Sequence, residues 1–289
     1  MAGSHAKTTG RKNRKRRKKS HFVRNGAILL LCAIAFGLGG LLWYAAFTLE
    51  TEKTAASASG EDYRPQVGDP PYKVIVDAGH GGADPGARGV IEENDMTAAT
   101  AAELIRLLQQ DPNYIPLQTR DDLSETVTPA QRAARAAELS AQLLLSIHGN
   151  SAADASASGF ECYPVVPGRT WHQESFYFAQ LLADGMRTAG AGLRGRGGIR
   201  YIYYLENDQK QLVESTHTEV RQEHSFTILE DSDCPAVLAE QCFVTSKTDV
   251  AQFGSEEGRK KAARIYYEAI CAYFGTEPES DQLEDFSIN

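Results

Sequence analysis

From Tyr72 onward, short apolar segments alternate with longer segments in which Ala and Leu recur at helical spacing, and this alternation restricts the possible folds more than any other feature. The first apolar segment, 72–77, is followed by a glycine-rich loop and then by helical spacing at 95–110. We predict further strands at 114–119, 142–147, 159–165 and 236–240, and further helices at 128–140, 171–189 and 255–274. Strands that alternate with helices are typical of an α/β domain with a largely parallel sheet.

The first 47 residues differ in character from the rest of the chain. Residues 1–25 contain ten Lys or Arg and no Asp or Glu, and the uncharged, apolar run 26–47 follows them. A helix over this run would cross the hydrocarbon core of a bilayer, which is about 30 Å thick. Because basic residues precede the run, we predict a cytoplasmic arm at 1–25, a single transmembrane helix at 26–47 and an extracytoplasmic remainder. A cleaved signal peptide, with Ala56-Ser57-Ala58 as its processing site, is the alternative.

The charge of the chain is distributed unevenly. Of the 30 Lys and Arg, ten lie in the basic arm, so the rest of the chain carries 20 basic residues against 38 Asp and Glu. A domain this acidic lacks the basic patches that neutralise phosphates, which excludes nucleic acid as a partner. The polar segment 48–71 is predicted to be a linker, 72–275 the folded domain and 276–289 an acidic, disordered tail.

Three residues that can bind a metal or transfer a proton stand at the ends of predicted strands. His80 follows the first strand, His148 follows the third, and Glu240 closes the last. Because the carboxyl ends of parallel strands meet at one edge of a sheet, these side chains are expected to converge. Two histidines and a carboxylate are a common zinc ligand set, although single histidines at strand ends are often structural. The glycine-rich loop lacks the GxxxxGK[ST] pattern of a phosphate site.

Several motifs match those of a known family in the same order. The segment 74–86 (VIVDAGHGGADPG) resembles the opening motif of the N-acetylmuramoyl-L-alanine amidase 3 family, and 146–150 (SIHGN) resembles its second histidine motif. The segments 93–97 (ENDMT) and 235–240 (PAVLAE) resemble those that contain its metal-binding and catalytic glutamates. Thr119-Arg120-Asp121 and Gln131-Arg132-Ala133 match two further segments, so the resemblance covers about residues 72–274.

The resemblance implies a three-layer α/β fold and a zinc-dependent enzyme that hydrolyses the amide bond between N-acetylmuramic acid and L-alanine in bacterial peptidoglycan. It implies Zn²⁺ bound by His80, Glu93 and His148, with Glu240 as the general base. The neighbouring Glu92 is a rival for the position of Glu93. Asn150, Arg120 and Asp84 are assigned to the surroundings of the ligands or to substrate binding, while Asp77 and Arg132 are expected to stabilise the sheet and its loops.

Two features depart from the family pattern. The family usually has Gly-Phe shortly after its catalytic glutamate, whereas this chain has Cys242-Phe243. Cys242 either replaces the glycine as a small residue or, as an alternative, approaches the metal through its thiol. The second departure is the long segment 194–225, which is rich in Tyr, Glu and Arg. It is interpreted either as a lid or docking site for a regulatory protein, or as a solvated surface helix at 209–224.

Two other functions are compatible with the same residues. A zinc peptidase of the cell wall with a different bond specificity would need the same ligands and base. A wall-binding or regulatory module would keep the fold without catalysis, although all four expected catalytic and metal-binding positions are filled here. The products released from peptidoglycan would separate these alternatives.

Overall fold

The structure, a computed structural model, describes residues 63–122, 125–206 and 209–279. They form a five-stranded sheet between helices, together with a separate two-stranded hairpin. The strands are β1 (Tyr72–Ala78), β2 (Tyr114–Gln118), β3 (Leu143–Asn150), β4 (Glu161–Pro164), β5 (Arg200–Tyr204), β6 (Lys210–Glu214) and β7 (Ala236–Phe243). The helices are α1 (Glu93–Gln110), α2 (Pro129–Leu139), α3 (His172–Thr188), α4 (Thr227–Glu230), α5 (Lys247–Asp249) and α6 (Glu256–Phe274), with a π-helical turn at Val250–Gly254 before α6.

The central sheet has the strand order β2-β1-β3-β7-β4. The pairs β1–β2, β1–β3 and β3–β7 are parallel, and β4 is an antiparallel edge strand beside β7. The prediction of a mostly parallel sheet is therefore confirmed. Since β1, β3 and β7 are adjacent and parallel, their carboxyl ends lie side by side, and the loops that follow them share one edge of the sheet.

Alternate residues of the central strands pack on opposite faces of the sheet. On one face, Val74 and Val76 belong to the core formed with Leu104 of α1, Phe178 of α3 and Tyr266 of α6. These residues are buried, as expected for strands covered on both sides.

The second face has its own core. Ile75 and Leu144 pack there with Ala133 of α2 and Ile228 of α4, and Ile202 of the hairpin strand β5 joins them. Helices on both faces of one sheet confirm the predicted three-layer sandwich. The hairpin is thus packed against the second face through an apolar residue of β5.

The start of α2 agrees with its sequence signal. Thr128 caps the helix, its Oγ1 accepts a hydrogen bond from the backbone of Gln131, and the Gln131 side chain accepts one from the backbone of Thr128. This reciprocal capping box fixes the first turn of α2, and therefore the position of Arg132 on it.

The segment 194–225 contains a β-hairpin, so the predicted surface helix at 209–224 is wrong. In β5, Tyr201, Ile202 and Tyr203 are buried, whereas the first three residues of β6 are exposed. The solvent-facing side of an edge strand and the polar face of a surface helix contain the same types of charged residue. The charge run therefore indicated exposure, not helical geometry.

Among the described residues, no helix is both long and apolar enough to span a bilayer. The predicted basic arm at 1–25 and transmembrane helix at 26–47 lie outside the described residues, as do linker residues 48–62 and residues 280–289 of the tail.

Candidate metal centre and active site

His80, Glu93 and His148 form the one cluster of metal-binding side chains in the described part of the chain. One donor atom from each lies within 4.8 Å of the others. Oε1 of Glu93 lies 3.0 Å from Nε2 of His80 and 3.0 Å from Nδ1 of His148. His80 stands in the loop after β1, Glu93 begins α1, and His148 lies near the end of β3. Residues 68 positions apart along the chain thus meet at one edge of the sheet.

Glycines allow the backbone to approach these side chains closely. A Cβ atom at Gly79 would lie 2.5 Å from Cε1 of His148, and one at Gly86 would lie 2.6 Å from Oε2 of Glu93. His80 itself has a left-handed backbone, with φ of 62°. Such a conformation is costly for a residue other than glycine and is found most often at functional sites. The glycine-rich loop therefore shapes the cluster.

Further hydrogen bonds orient the three side chains. Nδ1 of His80 lies 2.9 Å from Oδ2 of Asp84, so that its Nε2 faces the cluster. The backbone N–H of Ala87 donates to Oε2 of Glu93 at 2.8 Å, and that of Gly149 donates to Oε1 at 2.9 Å. Asp84 therefore contacts a predicted ligand directly.

Arg120 holds the loop that carries His80. Its guanidinium donates hydrogen bonds to the backbone carbonyls of Ala78 and His80, and its side chain is buried. Arg120 thus acts on the backbone around the ligand, and its contacts give no support to a direct substrate contact.

The cluster perturbs the protonation of its own members. Burial lowers the pKa of His80, but hydrogen bonds to Glu93 and Asp84 outweigh burial and raise its pKa to about 9. Burial raises the pKa of Glu93, yet hydrogen bonds from His148 and His80 hold its pKa well below the ordinary value. A carboxylate between two imidazoles is the electrostatic arrangement that a divalent cation would complete.

The donor set fits zinc. Two imidazole nitrogens and a carboxylate oxygen are ligands that Zn²⁺ accepts, and three protein ligands leave one position for water or substrate. None of the four cysteines in the described residues belongs to the cluster; all four are buried and form no disulfide. Sγ of Cys242 lies 3.5 Å from Sδ of Met96, and this thiol is not a member of the donor cluster.

Glu240 lies on β7 directly opposite His148 on β3. Its Oε2 is buried and has no hydrogen-bond partner among the described residues. Burial, followed by the negative charges of Glu93 and Glu161, raises the pKa of Glu240 to about 8. A carboxyl group with a pKa near neutrality is suited to both accepting and releasing a proton.

Glu161 and Arg200 belong to the surroundings of Glu240 and were missed in the sequence. Glu161 on β4 is the antiparallel partner of Glu240, and its side chain is buried. It accepts hydrogen bonds from Nδ2 of Asn150 and from Nη1 of Arg200, the latter at 2.9 Å. Asn150 therefore binds a carboxylate beside the base. A glutamate inside the predicted apolar strand 159–165 was the available signal for this residue.

Glu92 and Asp77 are the remaining carboxylates whose contacts bear on the site. The side chain of Glu92 is 44% exposed and pairs with Arg88 at 3.2 Å, whereas Glu93 is buried in the cluster, so the structure separates the two rivals. Asp77 accepts hydrogen bonds from Thr119 and from Arg132, each at 2.5 Å. This buried network joins β1, the end of β2 and α2, and it stabilises the sheet behind the site.

The sequence pattern of the N-acetylmuramoyl-L-alanine amidase family matches residues 74–272. An uncharacterized protein of Bacillus subtilis, YqiI, is 31% identical over 70% of this chain and 84% of its own length. The probable N-acetylmuramoyl-L-alanine amidase AmiB of Haemophilus influenzae is 26% identical over 70% of this chain, which spans only 52% of that relative.

A solved structure has the same fold. The catalytic domain of CwlV, an N-acetylmuramoyl-L-alanine amidase from Bacillus (Paenibacillus) polymyxa var. colistinus, is 26% identical, with a TM-score of 0.57 over 71% of this chain and 99% of that domain. The match to the family pattern covers more than half of the chain, and His80, Glu93, His148 and Glu240 all lie within the matched residues. The chain is therefore an enzyme of the N-acetylmuramoyl-L-alanine amidase family.

Proposed function

We propose that this protein is a zinc-dependent hydrolase that cleaves the amide bond between N-acetylmuramic acid and L-alanine in peptidoglycan. The observation that carries the proposal is the convergence of His80, Glu93 and His148 within 4.8 Å, with Glu240 on the strand beside them. Membership of the amidase family supports the choice of bond.

The side chains divide the chemistry among them. His80, Glu93 and His148 would hold Zn²⁺, which when bound supplies a Lewis acid for the amide carbonyl and a lower pKa for water. Glu240 would accept the proton of the attacking water, because it is the carboxylate on the strand paired with that of His148, and its burial makes it a stronger base than an ordinary carboxylate. Glu240 then passes this proton to the departing L-alanine amine, so the carboxyl group returns to its starting state. The products are a free stem peptide and a glycan with a lactyl carboxylate.

Asp84 and Arg120 keep His80 in place during this reaction. Asp84 fixes the ring through Nδ1, and Arg120 fixes the backbone through two carbonyl groups. Partners of this kind set the tautomer and orientation of a histidine ligand.

The proposal also includes a location. Residues 1–25 are basic and 26–47 are apolar, which supports a single-pass anchor in the bacterial cytoplasmic membrane with the catalytic domain outside. Accessibility of the domain to protease added to intact spheroplasts would test this. Protection of the domain would contradict the proposal.

The activity is tested on the full-length protein with purified peptidoglycan, and the soluble products are identified by mass spectrometry. We expect stem peptides with a free L-alanine amine, lost after treatment with a chelator and restored by Zn²⁺. The His148→Ala variant should lose both zinc and activity. His217→Ala is the matched control, because this histidine is exposed and lies outside the cluster.

Other products would redirect the assignment. Shortened peptides that remain attached to glycan would indicate a peptidase with a different bond specificity. Zinc binding without any release would favour a regulated or non-catalytic site, and absence of both would contradict the proposed mechanism.

A further inference from the structure

A line of ion pairs connects the hairpin to the sheet beside Glu240. Arg200 of β5 binds Glu161 of β4 through Nη1 at 2.9 Å, and it binds Glu214 of β6 through Nη2 at 2.9 Å. The side chain of Glu161 is 4% exposed and that of Arg200 is 19% exposed. Removal of one partner from a largely buried ion pair is destabilising, because it leaves an uncompensated charge.

The Glu161 carboxylate lies next to the proposed base. Glu161 and Glu240 are direct partners in the antiparallel pairing of β4 with β7, so their side chains project from the same face of the sheet. Like charges in directly opposite positions destabilise a sheet. This arrangement therefore needs a compensating cation, and Arg200 is the cation that contacts Glu161.

The hydrogen bonds of Glu161 also determine the direction in which its carboxylate points. Its Oε1 accepts from Asn150 and its Oε2 accepts from Arg200. Both oxygens are thus occupied by groups other than Glu240. Since Asn150 follows His148 by two residues on β3, the same network reaches the strand that carries a proposed metal ligand.

We infer that Arg200 is a positioning residue for Glu240, which it serves by neutralising and orienting Glu161. The inference rests on the proposed function. It makes the hairpin strand β5, which lies in the long segment 194–225, a part of the active site although Arg200 contacts neither the metal ligands nor the base among its recorded partners. Without Arg200, the buried carboxylate of Glu161 would face the partly buried carboxylate of Glu240 with no compensating cation, and Glu240 would be displaced from its catalytic position.

A purely structural role is the competing explanation. In that case Arg200 would only anchor the hairpin, and its loss would have the same effect whatever the charge at position 161. Arg169 is a suitable comparison because it anchors the end of the same segment. It pairs with Glu230 at 2.8 Å and donates to the backbone carbonyls of Arg221 and Glu223, without contacting Glu161.

The test is a double-mutant cycle in the full-length protein, with kcat and KM measured on a soluble peptidoglycan fragment for wild type, R200Q, E161Q and R200Q/E161Q. We expect R200Q to lower kcat by about tenfold with little change in KM, as other residues that orient an active-site group do. In the E161Q background, R200Q should cost less than about threefold, because the charge that Arg200 neutralises is gone. The control R169Q should retain the kcat of the wild type.

Equal losses of kcat from R200Q in both backgrounds would overturn the inference, as would a fall in kcat for R169Q that matches that for R200Q. Crystal structures of the same variants decide the question independently of turnover, including the case in which the wild type releases no stem peptide and the proposed function fails. A Glu240 carboxylate displaced in R200Q and restored in R200Q/E161Q supports the inference. An unmoved Glu240 in R200Q overturns it.

Discussion

His148 and Glu240 occupy paired positions on the adjacent parallel strands β3 and β7. Backbone hydrogen bonding of the sheet thus sets the separation between a proposed metal ligand and the proposed base, and neither residue depends on a mobile loop for its position. Sites built on strands are held more accurately than sites built on loops. The two residues should therefore be sensitive to changes in side-chain length as well as in charge.

Substitution of Glu240 tests this directly. Glu240→Gln keeps the shape of the side chain but removes the proton acceptor, so we expect kcat to fall by about 10²–10⁴-fold. Glu240→Asp keeps the acid but withdraws it by one methylene, and it should also lose most activity. Zinc content, measured by atomic absorption, should stay at the wild-type level in both variants. Loss of zinc from Glu240→Gln would show that Glu240 is a ligand and contradict its role as base.

Asp84 is expected to control metal affinity through His80. Asp84→Asn weakens the hydrogen bond that orients the ring, so we expect zinc affinity to fall by about 10–100-fold. Competition with a chromophoric chelator measures this change. Asp154→Asn is the control, since Asp154 is an exposed residue whose carboxylate accepts hydrogen bonds only from the nearby Ser156 among its recorded partners. Equal affinities for wild type and Asp84→Asn would remove Asp84 from the site.

The close approach of Gly79 to His148 predicts a steric effect. A methyl group at Gly79 would lie 2.5 Å from the His148 ring, so Gly79→Ala should displace this ligand and weaken zinc binding. At Gly192 an added Cβ would meet no atom within 4 Å, and its φ is not positive. Gly192→Ala should therefore bind zinc like the wild type in isothermal titration. Unchanged zinc binding in Gly79→Ala would show that the ring has room to move.

The buried pair of Arg132 and Asp77 should dominate the electrostatic stability of the domain. Arg132→Met leaves the Asp77 charge buried, which we expect to cost about 3–5 kcal/mol in the free energy of unfolding. On the same helix, Arg135 forms an exposed pair with Glu138 at 3.6 Å, and Arg135→Met should cost less than about 1 kcal/mol. Urea denaturation followed by circular dichroism compares the two. Similar losses would mean that Thr119 and Ser146 suffice to satisfy Asp77.

Site residues could be predicted from sequence where the motif that marks them is local, and could not be predicted where the contact joins distant parts of the chain. His80 and His148 follow apolar strand segments, and a local pattern of strand and glycine reveals such positions. Glu161 and Arg200 are 39 residues apart and meet only because β4 and β5 come together in the fold. The spacing of apolar residues along the sequence gives no information about such a distant pair. A glutamate within an apolar strand could have been noticed, but its partner could not have been named.

The hairpin shows a second reason why part of the fold could not be predicted from sequence, namely that an exposed strand lacks a clear apolar pattern. Lys210 and Gln211 of β6 are exposed, and Glu214 is partly so. Apolar periodicity distinguishes strands from helices only where one side is buried. In β6, the adjacent polar residues Lys210 and Gln211 lie on opposite sides of the strand, so this contrast is absent. In β5, Tyr201, Ile202 and Tyr203 are all buried, so the burial of this strand does not alternate either.

The left-handed backbone at His80 places stability and catalysis in opposition at a single position. A sequence selected for folding alone would have glycine there, because glycine adopts a φ of 62° without steric cost. His80→Gly would then relax the loop while abolishing one of the three donors. A substitution at this residue that is selected only for higher stability of the domain would therefore tend to remove a proposed metal ligand. The stability of the domain and its activity thus depend in opposite ways on the φ angle of one residue.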